Sequence, residues 1–143
     1  MGDGDQGSTT YDQRLLFHIQ INELLKWCTY GAIKKEIEFW FRSLETVTGM
    51  VKPFLKLPSE KIVYYDAALK AISLNIYDTN FYSMLSTGTV PSWDSEDYSQ
   101  QYNKILLSLR KLQDELYVDM REAKLLLPLD MSNPSEAAYR RGN

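Results

Sequence analysis

The sequence predicts an all-α fold: an antiparallel bundle of three long helices, the first kinked near Gly31, with a short helix at the C-terminal end. Three observations carry this. Apolar residues recur at spacings of three and four over long stretches, the period of a helix face. The five prolines, at 53, 58, 91, 128 and 134, all fall outside those stretches. The three periodic stretches are also alike in length, as rods lying side by side must be.

Residues 1–9 are mostly glycine and polar residues with nothing to pack, and they are expected as a disordered arm. The first helix is expected to open at Thr10, where Thr10-Tyr-Asp-Gln13 has the capping-box form. Phe17, Ile21, Leu24 and Cys28 make its core stripe, and Leu16, Ile19 and Trp27 form a second stripe roughly 100° away. The pattern resumes as Ile33, Ile37, Trp40, Leu44 and Val47 and stops at Gly49, a natural residue to follow a helix. Between these stripes lies Cys28-Thr-Tyr-Gly31, a run of poor helix formers. A true break there needs a new cap, yet Ala32, Ile33, Lys34 and Lys35 supply no capping oxygen. They also set two cations against the positive end of a helix dipole. One helix over 11–48 is therefore expected; a sharp corner at Gly31 would instead give a four-helix bundle.

The two prolines between Met50 and Pro58 make a connection, and Ser59-Glu60 opens a second helix expected over 59–87, stopped by Gly88. It carries one stripe of Ile62, Tyr65, Leu69, Ile72 and Ile76 and another of Val63, Ala67, Leu74, Tyr77, Phe81 and Met84. So wide an apolar arc suits a helix with two neighbours. The third helix is expected from about 94 or 95 to 127 and has the cleanest heptad: Tyr98, Tyr102, Ile105, Leu109, Leu112, Leu116, Met120, Ala123 and Leu127. Asn133-Pro134-Ser135-Glu136 then reads as the start of a short helix over 134–141. The bundle domain is thus 10–127, and 128–143 an extended segment ending in that helix.

Composition narrows the function. A net charge of −3, from 16 basic and 19 acidic residues, is no polybasic footprint. No run approaches the roughly 18 apolar residues a membrane span needs, and the acidic start is unlike a signal peptide, so a soluble intracellular protein is expected. Cys28 is the lone cysteine and His18 the lone histidine, which leaves little material for a thiolate zinc site or a nucleophilic triad. No Glu-x-x-His pair, the mark of di-iron bundles, is present. Glu115, Asp119 and Glu122 share one face, but Lys111, Arg121 and Lys124 are interleaved with them, the pattern of a solvated, ion-paired surface. No catalytic residue, metal or cofactor is assigned. The lowest-ranked reading is an enzyme using His18 with Arg14.

The aromatic content of 13% is the informative excess. Phe39-Trp40-Phe41 spans roughly 200° of a helix, so at least one ring is expected to leave the core. The leading expectation is a non-enzymatic interaction or structural subunit that packs into a homo-oligomer or a larger protein assembly, with Trp27, Phe39, Phe41, Tyr64, Tyr82, Trp93 and Tyr139 as contact residues. The alternative is a nucleic-acid-binding subunit using Lys34, Lys35 and Arg42, the centre of a mildly basic stretch between residues 26 and 61.

Overall fold

The computed structural model of the chain describes residues 3–87 and 96–126, and among these every regular element is helical. Helix α1 is Asp3–Lys34, α2 is Ile37–Val51, α3 is Ser59–Ile76, α4 is Thr79–Thr87 and α5 is Glu96–Glu122; a 3-10 turn, Lys52–Phe54, follows α2. The helices pack against one another in alternating directions. Phe54 lies beside Phe17, and Phe39 beside Trp27 and Tyr30, so α2 runs back along α1. Lys52 meets Asp66 while Tyr77 meets Glu38, which sets α3 antiparallel to α2. Lys61 meets Glu115 while Gln101 meets Asn75, which sets α5 antiparallel to α3. The core runs along the centre as Ile21, Leu25, Trp40, Leu44, Tyr65, Ile76, Ile105, Leu109, Leu112, Leu116 and Met120, all essentially without solvent contact.

The single helix expected over 11–48 is in fact two helices joined by a tight reversal at Lys35 and Glu36. Lys35 takes φ 56°, the Glu36 amide donates to the Gly31 carbonyl at 2.9 Å, and the Lys35 amide donates to Ala32 at 3.3 Å. These two bonds are the Schellman closure of a helix C-terminus. Lys34 and Lys35 therefore stand at the negative end of α1, where cations are favoured, and Glu36 and Glu38 stand at the positive end of α2. The two lysines, expected to disfavour the start of a helix here, instead favour the end of one. No side chain caps α2.

Gly31 also acquires a different role. A Cβ built on it would lie 2.8 Å from Trp40 Cβ and 2.9 Å from Trp40 Cα. The glycine lets the two helix backbones close on each other immediately after the reversal. The same reversal turns Ile33 out of the stripe to which it was assigned, to 71% exposure.

Other boundaries differ for equally local reasons. α1 is helical from Asp3, so the capping box at Thr10 lies inside the helix instead of opening it, and residues 3–9 are not outside it. α2 passes through Gly49 to Val51, which is fully buried. The helix expected over 59–87 is interrupted at Tyr77 and Asp78. There the Asp78 carboxylate accepts from the Phe81 amide at 3.2 Å and opens α4, an aspartate N-cap the periodicity had masked. α5 ends at Glu122, short of 127, in a second Schellman turn: Lys124 takes φ 59°, and the Leu125 amide donates to the Met120 carbonyl at 2.9 Å. Its heptad is otherwise as expected, with Tyr98, Ile105, Leu109, Leu112, Leu116 and Met120 buried. The connection over 88–94 and the segment 128–143 lie outside the described residues.

Candidate functional site

The outer surface of the α1–α2 hairpin carries the most prominent unburied aromatic group among the described residues. Trp27, Tyr30 and Phe39 form a three-ring cluster with centroid separations of 6.0, 5.7 and 5.7 Å, each pair edge to face. Their exposures are 41%, 45% and 40%. Each ring braces the other two, so the group is a preformed surface, and edge-to-face pairs of this kind are worth about 0.5–1.5 kcal/mol beyond area burial. Spacings of three and four continue the cluster down α1 through Ile19 and Leu16, both exposed, with Glu23 and Lys26 between them. The second stripe of α1, Leu16, Ile19 and Trp27, is thus at the surface. Tyr30 was not foreseen because Cys28-Thr-Tyr-Gly31 read as a flaw in the helix, whereas it is the last regular turn before the reversal.

The remaining contact candidates are distributed differently. Phe41 is 2% exposed and belongs to the core, so its selection as a contact residue is corrected: four residues after Ile37 and three before Leu44, it shares the buried face of α2, which leaves Phe39 as the ring that exits. Tyr64 is half-buried and its hydroxyl donates to Glu115 at 2.6 Å. Tyr82 is half-buried, its ring 5.1 Å from that of Tyr77. Trp93 and Tyr139 lie outside the described residues. Lys34, Lys35 and Arg42 are exposed but do not line a common cavity. Lys35 borders one that also contains Glu36 and Glu38, and Arg42 pairs with Glu38 at 3.9 Å and lies over Tyr77.

A second constellation joins α3 to α5. Lys61 Nζ lies 3.0 Å from Glu115 and 4.0 Å from Asp119, and over the rings of Tyr64 and Tyr65; Tyr65 donates its hydroxyl to Asp119. Glu115 and Asp119 are therefore not simply a solvated face: they cross to α3. Desolvation is the largest influence on the Glu115 carboxyl and raises it. The hydrogen bonds from Tyr64 and Lys61, with the charges of Lys61 and Lys111, outweigh this and hold it below the usual carboxylate range. The bond to Glu115, with desolvation, pushes the Tyr64 phenol up to about 12. Burial and the bond to Asp119 push Tyr65 up as well. Both phenols are thus kept protonated, as donors to carboxylates. A groove of about 900 Å³ opens beside them, lined by Leu107 and Arg110 among others. Because these groups bond to one another from α3 to α5, the set acts as a helix-to-helix clamp.

His18 sits toward the opposite end of α1 from the aromatic cluster, and its Nδ1 is 2.7 Å from the Leu125 carbonyl. Cys28 is fully buried, and desolvation pushes its thiol up to about 12, far from a reactive thiolate. Among the described residues no group of three or more His, Cys, Asp or Glu side chains is placed to hold a metal, and no helix is long and apolar enough to cross a membrane. Comparison of the chain with protein-family models, with curated proteins and with solved structures gives no match.

Proposed function

We propose that the chain is a non-enzymatic helical subunit, a four-rod bundle of α1, α2, α3 and α5, that pairs with a second copy of itself through the outer face of α1. The observation that carries this reading is the exposed cluster Trp27, Tyr30 and Phe39, continued by Ile19 and Leu16. An aromatic surface of this kind is the usual centre of a protein interface.

A second copy is favoured as occupant because the stripe is self-complementary. When two α1 helices are laid antiparallel about Glu23, Leu16 faces the partner's Tyr30 and Ile19 faces the partner's Trp27. Lys26, 4.0 Å from Glu23 in its own chain, lies beside the axis and offsets the two carboxylates that meet there. A two-fold contact requires one surface to fit itself in this way. From Leu16 to Tyr30 the stripe is about 21 Å long at 1.5 Å per residue.

Light scattering of the full chain is expected to give twice the 16.6 kDa of one chain. Trp27→Ser combined with Phe39→Ser is expected to give a monomer of unchanged helicity. A wild-type chain that stays monomeric up to about 100 μM, well above the range of specific dimers, overturns the proposal.

A further inference from the structure

Toward the other end of α1 from the aromatic cluster, three separate parts of the chain surround a cavity of about 480 Å³. Its lining includes Arg14, Phe17 and His18 from α1, Phe54 and Lys56 from the turn after α2, and Lys124 from the end of α5. That volume falls within the range of small-molecule sites. Among the described residues that line it there is no carboxylate, whereas each of the three other described cavities bordered by a lysine or arginine also holds two or three acids.

The chemistry of the lining is specific. Arg14 and His18 are one helical turn apart and share a face. A carbonyl oxygen cannot donate, so the His18 Nδ1 proton is committed to Leu125, and Nε2 is the ring's remaining hydrogen-bonding atom. Phe54 is half exposed and its ring centroid lies 5.0 Å from that of Phe17, which offers an aromatic platform beside the charges. Lys56 and Lys124 both adopt positive φ, 53° and 59°, where glycine is the ordinary occupant. Two unfavourable backbone positions are thus filled by lysines at the rim of the same cavity, and strain of this kind concentrates where a side chain has a task.

We propose that this cavity binds a small phosphate ester bearing an aromatic ring, of the size of a nucleoside monophosphate. Arg14, Lys56 and Lys124 meet the phosphate, with the Arg14 fork suited to two of its oxygens. Phe54 takes the ring by stacking, the combination of cation and aromatic that other proteins use for nucleotides. The site is independent of the self-association proposed above and shares no residue with it.

Calorimetric titration of the full chain with AMP, adenosine and inorganic phosphate separates the two recognition elements. AMP is expected to bind one per chain, at least about tenfold more tightly than either fragment. Arg14→Gln is expected to weaken AMP about tenfold, and Lys34→Gln to leave it unchanged. Lys124→Gly, which suits the backbone and keeps the fold, is expected to weaken it by a similar factor. Absence of saturation by about 5 mM AMP, or equal affinity for AMP and adenosine, overturns the proposal. So does binding of a single-stranded oligonucleotide that is lost with Lys34→Gln but kept with Arg14→Gln, since that places recognition at the other end of the hairpin.

Discussion

The α1–α2 hairpin and the α3–α5 seam are both antiparallel helix pairs, yet they are held by different physics. In the hairpin the backbones close on each other through Gly31 and Trp40, and the residues behind them, Ile21, Leu25, Cys28, Ile37 and Leu44, are apolar and buried. In the seam an apolar layer of Ile72, Ile105, Leu112 and Leu116 is rimmed by the network of Lys61, Tyr64, Tyr65, Glu115 and Asp119. Close packing responds to volume, whereas a titratable network responds to pH.

The largest effect is therefore expected in the hairpin. Gly31→Ala puts a methyl group inside contact distance of Trp40 Cβ and Cα, and neither is the flexible end of a side chain, so a helix must move. We expect a loss of about 2 kcal/mol or more in denaturant unfolding. Gly49→Ala is the control within the same hairpin. Its added Cβ meets nothing within 4 Å, and it is expected to stabilise by about 0.5–1 kcal/mol through helix propensity. Equal effects at the two glycines would show that close approach is not what holds the hairpin.

The seam should respond next. Tyr65→Phe removes the hydroxyl that Asp119 accepts and is expected to cost about 1–1.5 kcal/mol. Its pH profile is the sharper signature. The folded Glu115 carboxyl lies below its ordinary 4.5, so its contribution is complete above that value and is lost as pH falls through the lowered one. Glu115→Gln should flatten this acid limb, while Gly31→Ala should shift the whole curve without changing its shape. At the alkaline end Tyr64 is raised, so its share is complete below 10 and lost as pH climbs towards 12. Cys28 is raised to about 12 as well, so hairpin and seam both weaken in alkali and only the acid limb tells them apart.

How much of this was legible in the sequence also differs between the two regions. The heptad from Tyr98 to Met120 specified the α5 face directly, because one uninterrupted helix converts spacing into burial. The hairpin was half legible. Its core stripes were correct at Ile21, Cys28, Ile37, Trp40, Leu44 and Val47 but missed Leu25 and misplaced Ile33; the reversal depends on Lys35 accepting a positive φ, and lysine gives no such signal where glycine would. Phe39 and Phe41 were both read as contact residues, and only Phe39 reaches the surface. Asp78 was readable as a cap, yet the apolar residues on both sides kept the period running across it. The clamp was invisible for another reason. Lys61 and Glu115 are far apart in sequence, and only the register of α3 against α5 brings them together. The cavity at Arg14 and Lys124 depends likewise on three segments meeting.

The smallest effect links the two regions, since the hairpin and the end of α5 are closed by the same turn with the same residue. Lys35 and Lys124 each occupy the left-handed position of a Schellman motif, with the amide of the next residue donating to the carbonyl five residues back. Cβ crowding in that conformation costs an ordinary residue about 1–2 kcal/mol, and part of this is returned when the lysine charge meets the helix C-terminus. Glycine removes the crowding but gives up the charge and frees the unfolded chain. Lys35→Gly and Lys124→Gly are each expected to stabilise by about 0.5–1 kcal/mol in urea unfolding. Because the turns are separate, the double variant should show the sum. The two should part company in a ligand titration: Lys124→Gly gains stability at the expense of AMP affinity, whereas Lys35→Gly gains stability and leaves the affinity alone. Stabilisation with unchanged affinity at both positions would mean that the strained lysine at the end of α5 serves no ligand.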